Sequence, residues 1–595
     1  MGAARRASPP PLTMSPQPAT IATMTRPEPD ERFAWHPEPE LIGIRDAERS
    51  RPALERLGRD AWAAALDYVY DEAFRRAMGE PTDYSTLRRT FFGDAGGDRS
   101  LGPAPAPADP TPSAELLAEF TERLAPYQLN AYHPRSLSYF TPPPLAMSVV
   151  GELLAQVTQQ GVDVWHAGPS GAFVEEEVIR WLTDLVGYPV PPSVAVAGGA
   201  TPAATGPATP GLATPVPQPG GGAFGILTSG GVMANFLAMT LARDVHLPSL
   251  TGATEAPRGR ALEGISVYTS DQAHFSIARA LDELGFPEDT LRVIATGDDF
   301  RLLAAPVAAA IAADRAAGLR PLAICAVAGS TNTGSVDAIG ELAALAEREG
   351  LWLHVDAAYG GAARLSERLA PRVPDLARAD SVTVDPHKWF FQAYDFGALL
   401  VRRRRDLTDT FHRAPEYYRG GGSGRDGEAD DLERVQLNFY QHGMEGTRRW
   451  RALKLWMSWK HLGTSGLGRL VEANVAIAAH LARRLAESDD FDALPADPPL
   501  SVVCFRHLPG GRAAAASLDV DGLRALDEHQ DRLAGALEAS GDGWLSTTLL
   551  RSRTFLRAGI VNYLTTEDDI DHLLATLRRL AADHPPAPAQ AEAGR

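Results

Sequence analysis

Lys388 stands at the end of the strand-like run Ser381–Val384, after Asp385, Pro386 and His387 and directly before Trp389, Phe390 and Phe391. An ammonium is costly to desolvate, so a lysine in such apolar company needs a chemical reason to be there. Other polar residues follow strand-like runs in the same way. Gly230-Gly231 follows FGILTS and opens a helix, where paired glycines let the backbone approach an anion and the helix N-terminus offers free N–H groups. His274 follows ISVYTS, Thr331 lies in the hydroxyl-rich loop after AICAVAG, and Asp356 ends LWLHVD with the small Ala357 and Ala358 beside it. Taken singly, each is equally well a tight turn, a helix cap, a polar loop or a snorkelling lysine. At successive strand ends of an open α/β sheet, where ligands bind, they form a set.

Pyridoxal 5'-phosphate would use every member of that set. Its aldehyde needs an amine that burial and aromatic neighbours help to keep free, which is the expectation for Lys388. Its ring nitrogen needs a carboxylate, Asp356, to hold it protonated. Its phosphate suits Gly230 and Gly231, and its ring fits between His274 and Ala358. Neither GxGxxG nor GxxxxGK[ST] follows a strand, which disfavours a dinucleotide or triphosphate. No HExxH or Cys/His ligand spacing occurs, so no metal is expected.

The elements that must position these residues alternate along the chain. Seven strand-like runs (FGILTS, ISVYTS, LRVIAT, PLAICAVAG, LWLHVD, SVTVD and GALLVR) are interleaved with helical patterns. Several are apolar throughout, as in a mainly parallel sheet covered on both faces. The fold expected is therefore α/β, with a large domain at 146–458 and a smaller α+β domain at 459–583. A disordered N-terminus at 1–32, a helical segment at 33–145, a Pro/Ala/Gly-rich surface insertion at 191–222 and a disordered tail at 584–595 complete the expected organisation.

Composition narrows the partners. With 57 basic and 75 acidic side chains the formal net charge is −18, which argues against nucleic acid despite the short clusters VRRRRD and TRRWR. Two cysteines, Cys325 and Cys504, exclude a disulfide framework. No apolar run is long enough to cross a membrane, and the N-terminal stretch lacks the apolar core of a secretory signal, so a cytoplasmic enzyme is expected.

DPHKW, LHVDAAYGG, TSDQAHFS, TSGGVMAN and GSTNTGSVD resemble motifs of the group II pyridoxal-phosphate-dependent amino acid decarboxylases, the family of aromatic-L-amino-acid and glutamate decarboxylases. The likeness runs from about His133 to Thr566. It implies an aspartate-aminotransferase-like (fold type I) homodimer with active sites at the subunit interface and a small-molecule amino acid substrate, an aromatic one among the candidates. It further implies that Lys388 carries the cofactor, that Asp356 pairs with the ring nitrogen, and that His274 stacks on the ring. His387 would lie near the phosphate and Thr331 near the ring. Tyr417, with Tyr418 beside it, matches a mobile-loop tyrosine that protonates the substrate carbon. Tyr139 and Phe140 match the aromatic side of the substrate pocket, with Trp165 a further aromatic candidate, and Arg448 in GTRRWRALKLW matches a segment near substrate or loop. Val232 and Asp385 depart from the pattern, and Asp385 is expected to point away from the phosphate. The reaction implied is α-decarboxylation of an L-amino acid. The alternatives are an aldehyde synthase on the same fold, another fold type I reaction, or a catalytically silent scaffold, the last disfavoured by the presence of Lys388, Asp356 and His274.

Overall fold

The computed structural model describes residues 34–42, 47–71, 76–77, 79, 83–92, 106–189, 222–252, 254–412 and 437–583. The segments expected to be disordered at both ends, the insertion at 191–222 apart from Gly222, and Tyr417 with its loop lie outside the described residues. The chain divides into two compact units, Met1–Phe74 with Thr82–Tyr127, and Arg75–Pro81 with Gln128–Arg595. The first contains helices at Ala47–Tyr70, Tyr84–Phe92 and Ser113–Glu119.

Among the described residues, the second unit holds both sheets. Its larger one has seven strands: β1 (Phe224–Thr228), β2 (Ile265–Ser270), β3 (Leu291–Ile294), β4 (Arg320–Val327), β5 (Trp352–Asp356), β6 (Ser381–Val384) and β7 (Gly397–Val401). They lie in the order β1-β7-β6-β5-β4-β2-β3. Strands β3, β2, β4, β5 and β6 are parallel, and β7 runs antiparallel to both β6 and β1. Every residue of β1, β2, β5, β6 and β7 is buried, which is why these runs are apolar rather than alternating. Because β1, β2, β4, β5 and β6 point the same way, the segments after them emerge at one edge, where the residues singled out at the strand ends gather.

A second sheet, in the order β10-β11-β9-β8, comprises β8 (Phe491–Ala493), β9 (Val502–His507), β10 (Ser546–Leu550) and β11 (Arg553–Gly559). Strands β9 and β11 are the two read from the sequence; β8 and β10 are additional. Its core joins Phe491, Phe505 and Leu556 to Leu533, Leu573 and Leu577 of the helices Val520–Ser540 and Glu567–Asp583. The helix Ala452–Ala486 runs through position 459, where the two domains were expected to divide, and breaks at Gly463, whose φ is 68°. No described helix is long and apolar enough to cross a membrane.

Candidate active site

The strand ends surround a cavity of about 370 Å³. Gly230, Gly231, His274, Thr331, Asp356, Ala358, His387 and Lys388 all line it. Candidates scattered from Gly230 to Lys388 thus meet at one place, because each follows a strand of the same sheet. Two glycines are required sterically. A Cβ on Gly231 would lie 2.8 Å from Asp385 Oδ2, and Gly329, at φ +96°, would bring one to 2.8 Å from the Tyr359 ring.

Asp356 ends β5 and is held at both oxygens. Oδ1 accepts from the Ala358 N–H at 3.0 Å, and Oδ2 from Asn235 Nδ2 at 2.8 Å. Each oxygen keeps a further lone pair, so the carboxylate is oriented yet still able to accept from a ring N–H. His274 Nδ1 is 2.8 Å from Ser276 Oγ, at the start of the helix Ser276–Glu283. Burial pushes the His274 pKa down and favours the neutral ring.

Lys388 Nζ lies 3.1 Å from Asp385 Oδ2, and its side chain is 24% exposed against 1% for Asp385. Here two expectations are corrected. Asp385 faces the cavity instead of turning away, because the ammonium beside it needs a counter-charge. Burial alone would lower the Lys388 pKa and free the amine, but the Asp385 and Asp356 carboxylates outweigh it and hold the pKa above the ordinary lysine value. The ion pair's contribution to stability is therefore complete below that ordinary value and is lost as pH rises through the raised one. Uptake of an aldehyde needs the neutral amine, so it should accelerate with rising pH. Asp385→Asn should lower the Lys388 pKa. At a fixed pH near 8, uptake should then quicken about tenfold for each tenfold gain in the neutral amine fraction, read by stopped-flow absorbance. An unchanged rate in this variant would show that Asp385 does not restrain the amine.

The remaining candidates among the described residues lie outside the cavity lining. Phe140 stacks on Tyr359, which does line it, with ring centroids 4.2 Å apart, and so approaches at one remove. Tyr139 is 61% exposed and meets Trp544 edge-on. Trp165 is half-buried against His166. Arg448, matched in the sequence to a segment near substrate or loop, is buried beside β1 and outside the cavity lining. There its Nη2 donates to Glu175 Oε1 at 2.6 Å and to the Leu227 carbonyl at 2.8 Å. Nη2 thus packs β1 against Glu175, while Nε and Nη1 are buried without hydrogen-bond partners. Glu175→Ala should therefore cost about 3–5 kcal/mol of stability by stranding the charge, seen as a lowered melting temperature with KM unaffected.

Sequence reasoning missed Asn235, Ser276 and Arg557. Arg557 is buried on β11, donates from Nε to the Thr331 carbonyl at 2.7 Å, and stands over the Phe140 ring. Asn235 closes TSGGVMAN and Ser276 closes TSDQAHFS, so both lay inside motifs that were read without giving them a role. The place of Asn235 four residues into the helix after Gly231 was a further signal, since polar residues are rarely buried mid-helix without partners.

These residues fit pyridoxal phosphate. The cavity has an amine and an oriented carboxylate, a glycine turn that a Cβ would fill, and a neutral imidazole together with the small Ala358. The fold is that of the type I pyridoxal phosphate enzymes. The family model of the pyridoxal-dependent decarboxylase conserved domain matches residues 96–508, and the chain belongs to that family. It is a pyridoxal-phosphate-dependent carboxy-lyase that decarboxylates an amino acid. An aromatic-L-amino-acid decarboxylase of Bacillus atrophaeus is 31% identical over 452 residues, covering 76% of this chain and 82% of that protein. An L-2,4-diaminobutyrate decarboxylase of Rhizobium meliloti is 28% identical over 534 residues, covering 89% and 93%. Among solved structures, Oryza sativa TDC with PLP and tryptamine superposes with a TM-score of 0.73 at 24% identity, covering 89% of this chain and 98% of that one.

Proposed function

We propose that the substrate is an aromatic L-amino acid and that Lys388, Asp356 and His274 are the core of the catalytic site. The observation that carries this reading is that all three line one cavity. Bound there, pyridoxal phosphate supplies an aldehyde for amines and a cationic ring that takes up the electron pair left when carbon dioxide departs. Lys388 provides the anchoring amine. Asp356 holds the proton on the ring nitrogen, which keeps the ring cationic. His274 covers one ring face, while Ala358 leaves room at the other. Gly230, Gly231 and the N–H groups of the helix Gly231–Leu241 receive the phosphate, with His387 beside them. Thr331 borders the ring, and Tyr417 delivers the proton to the substrate carbon.

The lining favours an aromatic over a dibasic substrate. A second ammonium would call for a carboxylate, yet among the described lining residues the only carboxylates are Asp356 and Asp385. The first is held by Asn235 and Ala358, the second by Lys388. Phe275, 55% exposed beside His274, instead offers an aromatic surface. Amine release from L-tryptophan, L-tyrosine and L-phenylalanine should exceed that from L-2,4-diaminobutyrate, and the reverse order would overturn this assignment. Retention of His274 and Tyr417 supports amine as product. Equimolar hydrogen peroxide and ammonia would identify an aldehyde synthase instead. We further place the enzyme in the cytoplasm as a homodimer with sites at the subunit interface. Both cysteines are unpaired and buried, and Leu153, Val157 and Phe173 present apolar surface that a second copy would cover.

A further inference from the structure

Asn235 closes the segment TSGGVMAN, and all of its side-chain hydrogen-bonding capacity is engaged. Nδ2 donates to Asp356 Oδ2 and to Ser276 Oγ, both at 2.8 Å. Oδ1 is met by Thr383 Oγ1 at 2.7 Å and by His354 Nε2 at 3.0 Å. The amide has one possible orientation. A carboxylate only accepts, so the nitrogen must face Asp356, and the oxygen must then face Thr383 and His354. Both of these therefore donate. His354 carries its proton on Nε2, leaving Nδ1 to accept from Ser381 Oγ at 2.9 Å, while that hydroxyl itself accepts from Trp352 Nε1 at 3.0 Å.

The same logic runs the other way along the chain of bonds. Ser276 Oγ accepts from Asn235, so its own proton is free to go to His274 Nδ1, 2.8 Å away. The Ser276 backbone N–H also points at that nitrogen, at 3.3 Å. Two donors converging on Nδ1 require a lone pair there. The neutral imidazole must then carry its proton on Nε2.

We propose that Asn235 is a positioning residue that ties Asp356 and His274 into one hydrogen-bonded unit, aiming the carboxylate and locking His274 as the tautomer protonated on Nε2. Resting on the roles given above to Asp356 and His274, it makes His274 a donor toward an anion, such as a substrate carboxylate, and not a base. Two variants separate the two arms. Asn235→Asp keeps the size but replaces the donating nitrogen by an acceptor. Ser276 then turns its proton to the new carboxylate, and Asp356 loses its donor and gains a repelling neighbour. Ser276→Ala leaves the Asn235–Asp356 bond intact and removes only the hydroxyl at His274.

The test is ¹⁵N NMR of histidine-labelled holoenzyme, with the His274 signals assigned by their absence in His274→Phe, together with the affinity for pyridoxal phosphate from absorbance titration. In the parent protein His274 should show an unprotonated Nδ1 and a protonated Nε2. Ser276→Ala, which leaves only the backbone N–H of residue 276 facing Nδ1, should populate Nδ1–H in part while leaving cofactor affinity within about twofold. Asn235→Asp should populate Nδ1–H and also weaken cofactor binding by about tenfold or more, the scale of lost polar partners to a bound group. A protonated Nδ1 in the parent, or an unchanged His274 tautomer in both variants, would overturn the proposal. If one variant does not fold, the parent tautomer and the other variant still decide it. Failure of the parent to bind pyridoxal phosphate would instead sink the functional reading, because the tautomer can be measured in the protein without cofactor.

Discussion

Lys388→Ala should abolish the visible absorption band of protein-bound pyridoxal phosphate and lower amine production by at least about 10³-fold, the scale on which nucleophilic and acid–base groups contribute. The loss must be distinguished from unfolding. Removing the ammonium leaves Asp385, 1% exposed and with Oδ1 already lacking a hydrogen-bond partner, as a buried unpaired charge. Lys388→Ala alone should therefore also melt at a lower temperature. The double variant Lys388→Ala/Asp385→Asn removes that penalty, so it should regain the thermal stability but neither the band nor the activity. Persistence of the band in the double variant would show that another amine holds the cofactor.

Asp356→Ala has the second largest effect. The carboxylate at the end of β5, proposed above to hold the ring nitrogen's proton, is fixed at both oxygens by Ala358 and Asn235, and preorganised charge of this kind is worth about 10²–10³-fold in rate. We expect kcat to fall by about 10³-fold with a smaller change in KM, since the carboxylate acts most strongly where charge develops on the ring. Stability should fall as well, because the Asn235 amide and the Ala358 N–H each lose an acceptor, at about 1–3 kcal/mol apiece when buried. Asp356→Asn is no rescue. Whichever way its amide turns, an N–H group meets either the Asn235 Nδ2 or the Ala358 N–H. A fall in kcat of less than about tenfold in Asp356→Ala would mean that the ring nitrogen is not its partner.

The sheet was legible because burial on both faces leaves a plain trace: continuous apolar runs closed by glycine, aspartate or a hydroxyl residue. All seven strands of the large sheet correspond to runs read from the sequence, although the edge strand β3 is only partly buried and β7 is followed by Arg402. The family follows from the motifs after β1, β2, β4, β5 and β6. In the small sheet β9 and β11 were legible for the same reason. The strand β8 spans three residues, too short for periodicity to show, and β10 is only partly buried. The residues read at strand ends do line one cavity, whereas contacts made across the fold left no trace. Asn235 reaches Asp356 across 121 positions and His354 across 119, and no local pattern records such a meeting. The burial of Arg448 was not legible because RR next to tryptophan looks like a surface or ligand group. Its buried partner Glu175 lies 273 positions earlier. Asp385 misled for an electrostatic reason: repulsion from a phosphate points it outward, but attraction to the neighbouring ammonium is the stronger pull.

The chain contains only three lysines, Lys388, Lys454 and Lys460, which makes the central claim directly measurable. Lys454 is the serious rival on chemical grounds. Burial and the Arg449 and Arg451 guanidiniums push its pKa down to about 7 even though Glu152 lies 2.8 Å away, so its amine is the more readily neutral. It is nevertheless buried, with Nζ against the Tyr394 and Asp395 carbonyls, and it is not among the residues lining the cavity that Asp356 faces. Reduction of the pyridoxal-phosphate-loaded protein with borohydride, followed by proteolysis and mass spectrometry, reads out which amine is linked. The label should be on the peptide that carries Lys388 and on no other; a label on Lys454 or Lys460, with Lys388 unmodified, would contradict the account.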